Sequence, residues 1–300
     1  MKKNPVMILA AAGIFILTVI ILLYPSKCLI FALNGLNLWF QKMIPALFPF
    51  MVLSGIMIRM NLTDTFVKLL SVFLKPLFRV RSSCIYVIFM GFLCGFPMGA
   101  NVSATLYERK QLSKREAEFL LAFCNNIGPV YFVSFALPVA GLSAHPALLI
   151  GMYGLPVLYG LILRYTVYSD LPVKESPTGF EASGSGFLEA LDDSVMSSLS
   201  AITRLGGYMI FFNLLNIFAY LFLPVMLRPY CSCFLEITGG LQLLGDKAPY
   251  FTLCLLPFGG LSCLAQTYSM IKNTNLSLKK YCYHKLALTL LSVVYYAVLL

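Results

Sequence analysis

Charged side chains are scarce in this chain: Asp, Glu, Lys and Arg make up 11% of its 300 residues, against roughly 25% in soluble domains. So few charges could not cover the surface of a soluble fold. Histidine occurs only at His145 and His284, and the nine cysteines include no Cys-x-x-Cys. Metal-site spacing is therefore absent, and the cysteines read as small apolar fillers. The chain has no Gly-x-x-x-x-Gly-Lys-Ser/Thr, no His-Glu-x-x-His and no Gly-x-Ser-x-Gly. With those motifs missing, neither an enzyme nor a resident cofactor is expected. Acids are rarer than bases, 12 against 22, for a net charge of +10. The bases lie in short loops beside apolar runs, where they set topology rather than track nucleic acid.

What fills the chain instead is apolar: 59% of the residues are hydrophobic and the mean hydropathy is +0.84. Val6–Tyr24 follows Met1-Lys2-Lys3 and is about one bilayer crossing long, too long for the apolar core of a cleaved signal peptide. Residues 1–27 are read as a retained transmembrane helix with a cytoplasmic N-terminus. Cys28–Phe40 is short for a crossing and reads as interfacial, with the lone Trp39 as an interface anchor. Ile44–Met60 is just long enough to cross, and amphipathic Asn61–Val80 reads as a helix on the cytoplasmic surface.

Cys84–Tyr107 is broken by Gly91, Gly95, Pro97 and Gly99 and is basic at both ends. It is expected to enter and leave on one side, as a re-entrant hairpin with its tip at Gly95–Gly99; such backbone survives only inside protein or against a cavity. Glu116–Pro138 is expected to cross with an unwound centre, because Asn125-Asn126 and Gly128-Pro129 all weaken a helix. Pro146–Tyr168 is an ordinary crossing. Ser169–Asp193 holds six of the twelve acids and is the one polar linker. It separates a first membrane repeat, 28–168, from a second, 194–300.

In the second half, Pro249–Ile271 carries another break, Pro257-Phe258-Gly259-Gly260. One spacing joins Gly95 to Gly259 and Leu112-Ser113 to Leu276-Ser277. This order of features reads as a diverged internal duplication. Interrupted apolar segments at matching positions of two halves point to a transporter-type site at the repeat interface, while close helix packing is the plainer use of such glycines.

Intramembrane charges usually face a cavity or a partner. Glu236, beside Thr238, is a candidate ligand for a cation, a proton or a solute hydroxyl; the alternative is a structural ion pair with Arg204. Asn101, Ser103, Asn125, Asn126 and Gln266 are candidates to bond a polar solute, or to bond between helices.

Several of these stretches resemble the nucleoside-recognition, or Gate, domain. They are Pro45-Ala-Leu-Phe-Pro-Phe-Met-Val-Leu-Ser54, Gly95-Phe-Pro-Met-Gly-Ala100, Ser113-Lys-Arg-Glu-Ala-Glu118, Cys124-Asn-Asn-Ile-Gly-Pro129 and Phe258-Gly-Gly-Leu-Ser262 with Gln266. As a set, from about Leu38 to Leu286, they most resemble the YlbJ-type sporulation membrane proteins. The wider group includes concentrative nucleoside transporters, the membrane part of the ferrous-iron transporter B and spore maturation proteins. The resemblance implies an all-α polytopic membrane fold of two diverged repeats with interrupted or re-entrant helices. It also implies a transporter-like role in sporulation, and it names no substrate. The expected substrate-binding set is Gly95, Pro97, Gly99, Asn101, Ser103, Asn125, Asn126, Glu236, Thr238, Gly259, Gly260 and Gln266. The expected partners are membrane lipid and a small polar solute or coupling cation, with self-association left open. The alternative is a non-transporting membrane component needed for cortex or coat assembly.

Overall fold

A computed structural model describes residues 5–60, 62–173 and 186–299. The start of the basic N-terminus and most of the acidic linker, 174–185, lie outside the described residues. Every regular element among them is helical. We number fourteen helices: α1 Pro5–Leu23, α2 Pro25–Arg59, α3 Thr63–Phe78, α4 Ser82–Cys94, α5 Met98–Glu108, α6 Lys114–Phe123, α7 Pro129–Val139, α8 Pro146–Tyr165, α9 Phe187–Phe222, α10 Arg228–Leu235, α11 Ile237–Leu244, α12 Pro249–Leu255, α13 Gly260–Ile271 and α14 Leu278–Leu299. Five stretches are long and apolar enough to cross a bilayer, namely α2, α8, α9, α14 and the interrupted pair α12–α13. The chain is a multi-pass integral membrane protein. Its lipid-facing side chains are the expected ones: Leu9, Phe15, Leu22, Leu290 and Val298 all stand exposed.

Side-chain bonds gather the basic loops at one end of the bundle. Arg59 pairs with Asp193 at 3.0 Å, and Arg81 reaches both Glu116 and the Gln111 carbonyl. Arg115 pairs with Asp170, Arg164 donates to the Phe78 and Arg79 carbonyls, and Lys280 pairs with Glu118. The positive-inside rule expects this basic end on the cytoplasmic side. Here Ser113 and Glu116 close a capping box on α6. Burial acts to raise the Glu116 carboxyl, but Arg81 and the Ser113 N–H and hydroxyl outweigh it and hold it below its ordinary value. At the opposite end the loop at Gly141 meets Asp246, and Tyr295 donates to the Ala147 carbonyl.

Two expectations change. Residues 25–59 form one helix, not a short interfacial piece followed by a crossing: a π-bulge at Trp39–Met43 joins the two stretches just ahead of Pro45, and Pro49 stands inside the helix. Trp39 is no interface anchor: its ring lies on Gly206 and its Nε1 donates to the Ile202 carbonyl at 2.9 Å, locking α2 antiparallel to α9.

Both ends of α3 are tied to the cytoplasmic end, where Leu62 N donates to Met57 O and Arg164 holds the Phe78 carbonyl. The helix turns 101° into α4, and Leu69, Val72 and Phe73 are left exposed. It therefore lies along that end. Helices α4 and α5 form a hairpin: Gly91 and Gly99, equally far from its tip, both abut the Cys124 carbonyl. Helices α10 and α11 form a second hairpin, with Gly240 folded so tightly onto Cys233 that a Cβ there would lie 2.3 Å from its amide nitrogen.

The order hairpin, interrupted helix, gap-free helix thus occurs twice, as α4–α5, α6–α7, α8 and as α10–α11, α12–α13, α14. The first hairpin opens toward the cytoplasmic end and the second toward the opposite end. This order sets the break at Gly95 against Glu236 and the break at Asn125 against Gly259, so the common spacing that joins Gly95 to Gly259 in the sequence does not link like-placed breaks.

Candidate functional site

Four helix breaks converge inside the bundle. The first is the tip Gly95-Phe96-Pro97, with a cis Phe96–Pro97 bond. Gly95 has φ 81° and ψ −161°, and a Cβ on it would lie 2.2 Å from the Gly128 amide nitrogen. Only glycine lets the tip cross the second break, Cys124–Gly128, at that distance. The third break is Glu236, between α10 and α11. The fourth precedes Gly260, where Phe96 of the first tip packs beside Gly259 and Gly260 sits over the Cys233 and Phe234 carbonyls.

Unwound backbone in a membrane must find polar partners inside the protein, and the amide side chains supply them. Asn125 Oδ1 accepts from the Ala100 amide at 3.2 Å, while its Nδ2 donates to Thr267 Oγ1 and to the Tyr281 hydroxyl, each at 3.0 Å. Asn126 Nδ2 donates to the Phe123 carbonyl at the end of α6, and its Oδ1 accepts from Lys285 Nζ at 2.9 Å. Both amides are buried. They join the break to α5, α13 and α14, which is the interhelical reading of these residues.

Glu236 is 2% exposed and caps α11. Its Oε1 accepts from Thr238 N at 3.1 Å, and its Oε2 accepts from Gly239 N at 2.7 Å and Asn213 Nδ2 at 3.0 Å. A carboxylate at mid-membrane costs at least about 2.5–3.5 kcal/mol. The three donors and the positive end of the helix offset that cost. The expected alternative partner is elsewhere: Arg204 is exposed and donates to Ser200 Oγ on its own helix. An Arg204–Glu236 ion pair does not form.

Beside Glu236 lies a cavity of about 200 Å³. Thr238, Gln266, Phe96, Gly128 and Tyr131 line it with Glu236, and exposed Lys42 stands at its edge. The Tyr131 hydroxyl donates to Thr238 Oγ1 at 3.2 Å. Of the expected residues, Glu236, Thr238 and Gln266 line this space. Gly95, Pro97, Gly99, Asn125, Asn126, Gly259 and Gly260 build the crossing breaks around it. Asn101 and Ser103 stand apart. Asn101 faces a second cavity, of about 300 Å³, with Arg59, Glu108 and Arg109. Ser103 Oγ is spent on the Gly99 carbonyl one turn back, at 2.7 Å.

Sequence reasoning missed Asn213, Tyr131, Lys42 and Lys285. Lys285 is fully buried. Its signal was a lysine two turns inside an apolar helix that starts at Leu278.

The chain is similar to the sporulation integral membrane protein YlbJ of Bacillus subtilis (strain 168), with 26% identity across 91% of this chain and 78% of that protein. No family profile and no solved structure matches it.

Proposed function

We propose that this membrane protein acts in sporulation as a carrier, binding a small polar solute or a cation where its helix breaks converge. The observation that carries the reading is the cavity at Glu236, reached by breaks from both halves of the chain. Hairpins that open to opposite ends, each followed by an interrupted helix, are the arrangement expected of inverted repeats in secondary transporters, whose sites lie at the repeat interface. The Gate-type motifs fall on these breaks: Gly95–Ala100 on the first tip, Cys124–Pro129 on the second, Phe258–Ser262 on the fourth. The setting in sporulation rests on the relative's name.

Within the cavity, Glu236 offers a carboxylate whose outer lone pairs remain beyond its three donors. Gln266 and Thr238 offer neutral hydrogen-bonding groups, and Phe96 and Tyr131 offer ring faces. That set suits a solute with hydroxyl or amino groups and an apolar face. The test is thermal unfolding of purified protein against nucleosides, inorganic cations and small metabolites. A solute of one class is expected to raise the melting temperature of wild type and not of Gln266→Leu. If no class shifts wild type, and Gln266→Leu sporulates normally, the protein is a non-transporting component of spore-envelope assembly.

A further inference from the structure

Lys285 lies in an apolar crossing helix, is fully buried, and forms no ion pair within 4 Å among the described residues. A bare ammonium group in such a place is costly unless something takes its charge. What surrounds it is a cage of oxygens and ring faces. Its Nζ donates to the Asn125 carbonyl and, at 2.9 Å, to Asn126 Oδ1. It also stands 4.5 Å from the centre of the Phe96 ring and 5.6 Å from that of Tyr281. The oxygens belong to the stretch where α6 has just ended, so the partial negative charge of a helix C-terminus points at the same spot. Phe96 comes from the tip of the first hairpin. One ammonium thus touches the second break, the first tip and α14.

Backbone carbonyls freed by an unwound helix, an amide oxygen and aromatic faces form the donor set that binds a monovalent cation in a membrane protein. We infer that the break at Asn125-Asn126 is a monovalent-cation site filled from within by the ammonium of Lys285, which serves as a tethered ion. The first tip and the second break are then held together without any dissociable ion. Inorganic sodium or potassium has no place at this break, and any cation the carrier uses must bind at Glu236 instead. The inference concerns how the breaks are held and stands whether or not the cavity carries a solute.

The test removes the tether and offers the ion back. Purified full-length protein is melted in choline chloride, sodium chloride and methylammonium chloride. Wild type should melt at one temperature in all three. Lys285→Ala should melt several degrees lower in choline, which is too large for the vacated space. It should recover at least half of the loss in methylammonium or sodium. A Lys285→Ala protein as stable as wild type in choline would overturn the inference, as would a loss that neither small cation repairs. Should that variant fail to fold, Lys285→Arg and Lys285→Met decide. A cage that requires a cation makes the arginine protein melt above the methionine protein, whereas methionine at or above arginine reduces Lys285 to a space-filling side chain.

Discussion

A single methyl group at Gly95 should break the crossing on which the site depends. The φ of 81° and ψ of −161° put this residue in a region open to glycine alone, which costs any other residue about 1–3 kcal/mol. The added Cβ would also sit 2.2 Å from the Gly128 nitrogen and 2.7 Å from its Cα. Those atoms are backbone and cannot rotate away. Moving them disturbs the stretch that Asn125 and Asn126 tie to three other helices. Overpacking of that kind adds about 1–3 kcal/mol, for a total of roughly 2–6 kcal/mol. At roughly 2 °C per kcal/mol for a chain of this size, Gly95→Ala should melt about 4–12 °C below wild type. The measurement is the fraction of detergent-extracted protein that stays monodisperse on size exclusion after heating. Gly13→Ala and Gly207→Ala are the controls, because an added Cβ meets nothing within 4 Å at either position. They should match wild type or melt slightly higher. If Gly95→Ala melts with its controls, the two breaks do not cross as described.

Gly239→Ala should act on the site rather than on the fold: its Cβ would lie 2.3 Å from Asn213 Oδ1 and push that amide off Glu236. Sporulation or ligand response should fall while the protein still accumulates; a fully active variant would show that Asn213 does not position the carboxylate. Arg81→Met strands the buried Glu116 carboxylate and should cost about 3–5 kcal/mol, whereas Arg115→Ala, whose pair with Asp170 stands in solvent, should barely change the melting temperature. The depressed Glu116 titration contributes stability that is complete above the ordinary carboxylate value and is lost as pH falls through the lower folded value. Glu116→Gln should therefore flatten the acid limb of a melting-versus-pH curve, and an unchanged limb would remove Glu116 from it. Single cysteines at Ser83, in the first turn of α4, and at Gln111, whose carbonyl Arg81 holds, should label from the same side of intact cells; opposite labelling would make Cys84–Tyr107 a full crossing.

The sequence showed the breaks that glycine, proline and asparagine mark, because those residues weaken a helix wherever they occur. Gly95–Gly99, Asn125–Pro129 and Pro257–Gly260 are all interruptions in the structure. The break at Glu236 carries no proline, and two helices of eight residues on either side of it read as one apolar run. Its cause is local and polar: the carboxylate competes for the Thr238 and Gly239 amides and ends one helix by capping the next. Conversely Cys28–Phe40 and Ile44–Met60 read as separate pieces, and a π-bulge at Trp39–Met43 joins them into one helix. Helix breaking is thus legible where the backbone alone decides it, and illegible where a side chain or a bulge supplies the missing bond.

The two buried charges follow from the same physics. Glu236 lies at the N-terminus of α11, and Lys285 reaches the carbonyl end left by α6. Each full charge meets the helix end of opposite partial charge. Neither needs the other, nor Arg204. That arrangement leaves Lys285 occupied at the crossing of the first two breaks, and leaves Glu236 as the carboxylate that faces the cavity. A solute or ion entering there meets one acid rather than a neutralised pair. Glu236→Gln is accordingly not a silent probe of that acid. Either orientation of the amide sets an N–H₂ against the Thr238 amide or against the Gly239 and Asn213 donors. A lost cap bond of this kind costs about 1–3 kcal/mol, so Glu236→Gln should melt lower even without ligand. The functional role is then read from the difference between its ligand response and that of Gln266→Leu, which lines the same cavity without capping a helix. A Glu236→Gln protein that melts with wild type would mean that the carboxylate does not hold the α10–α11 turn.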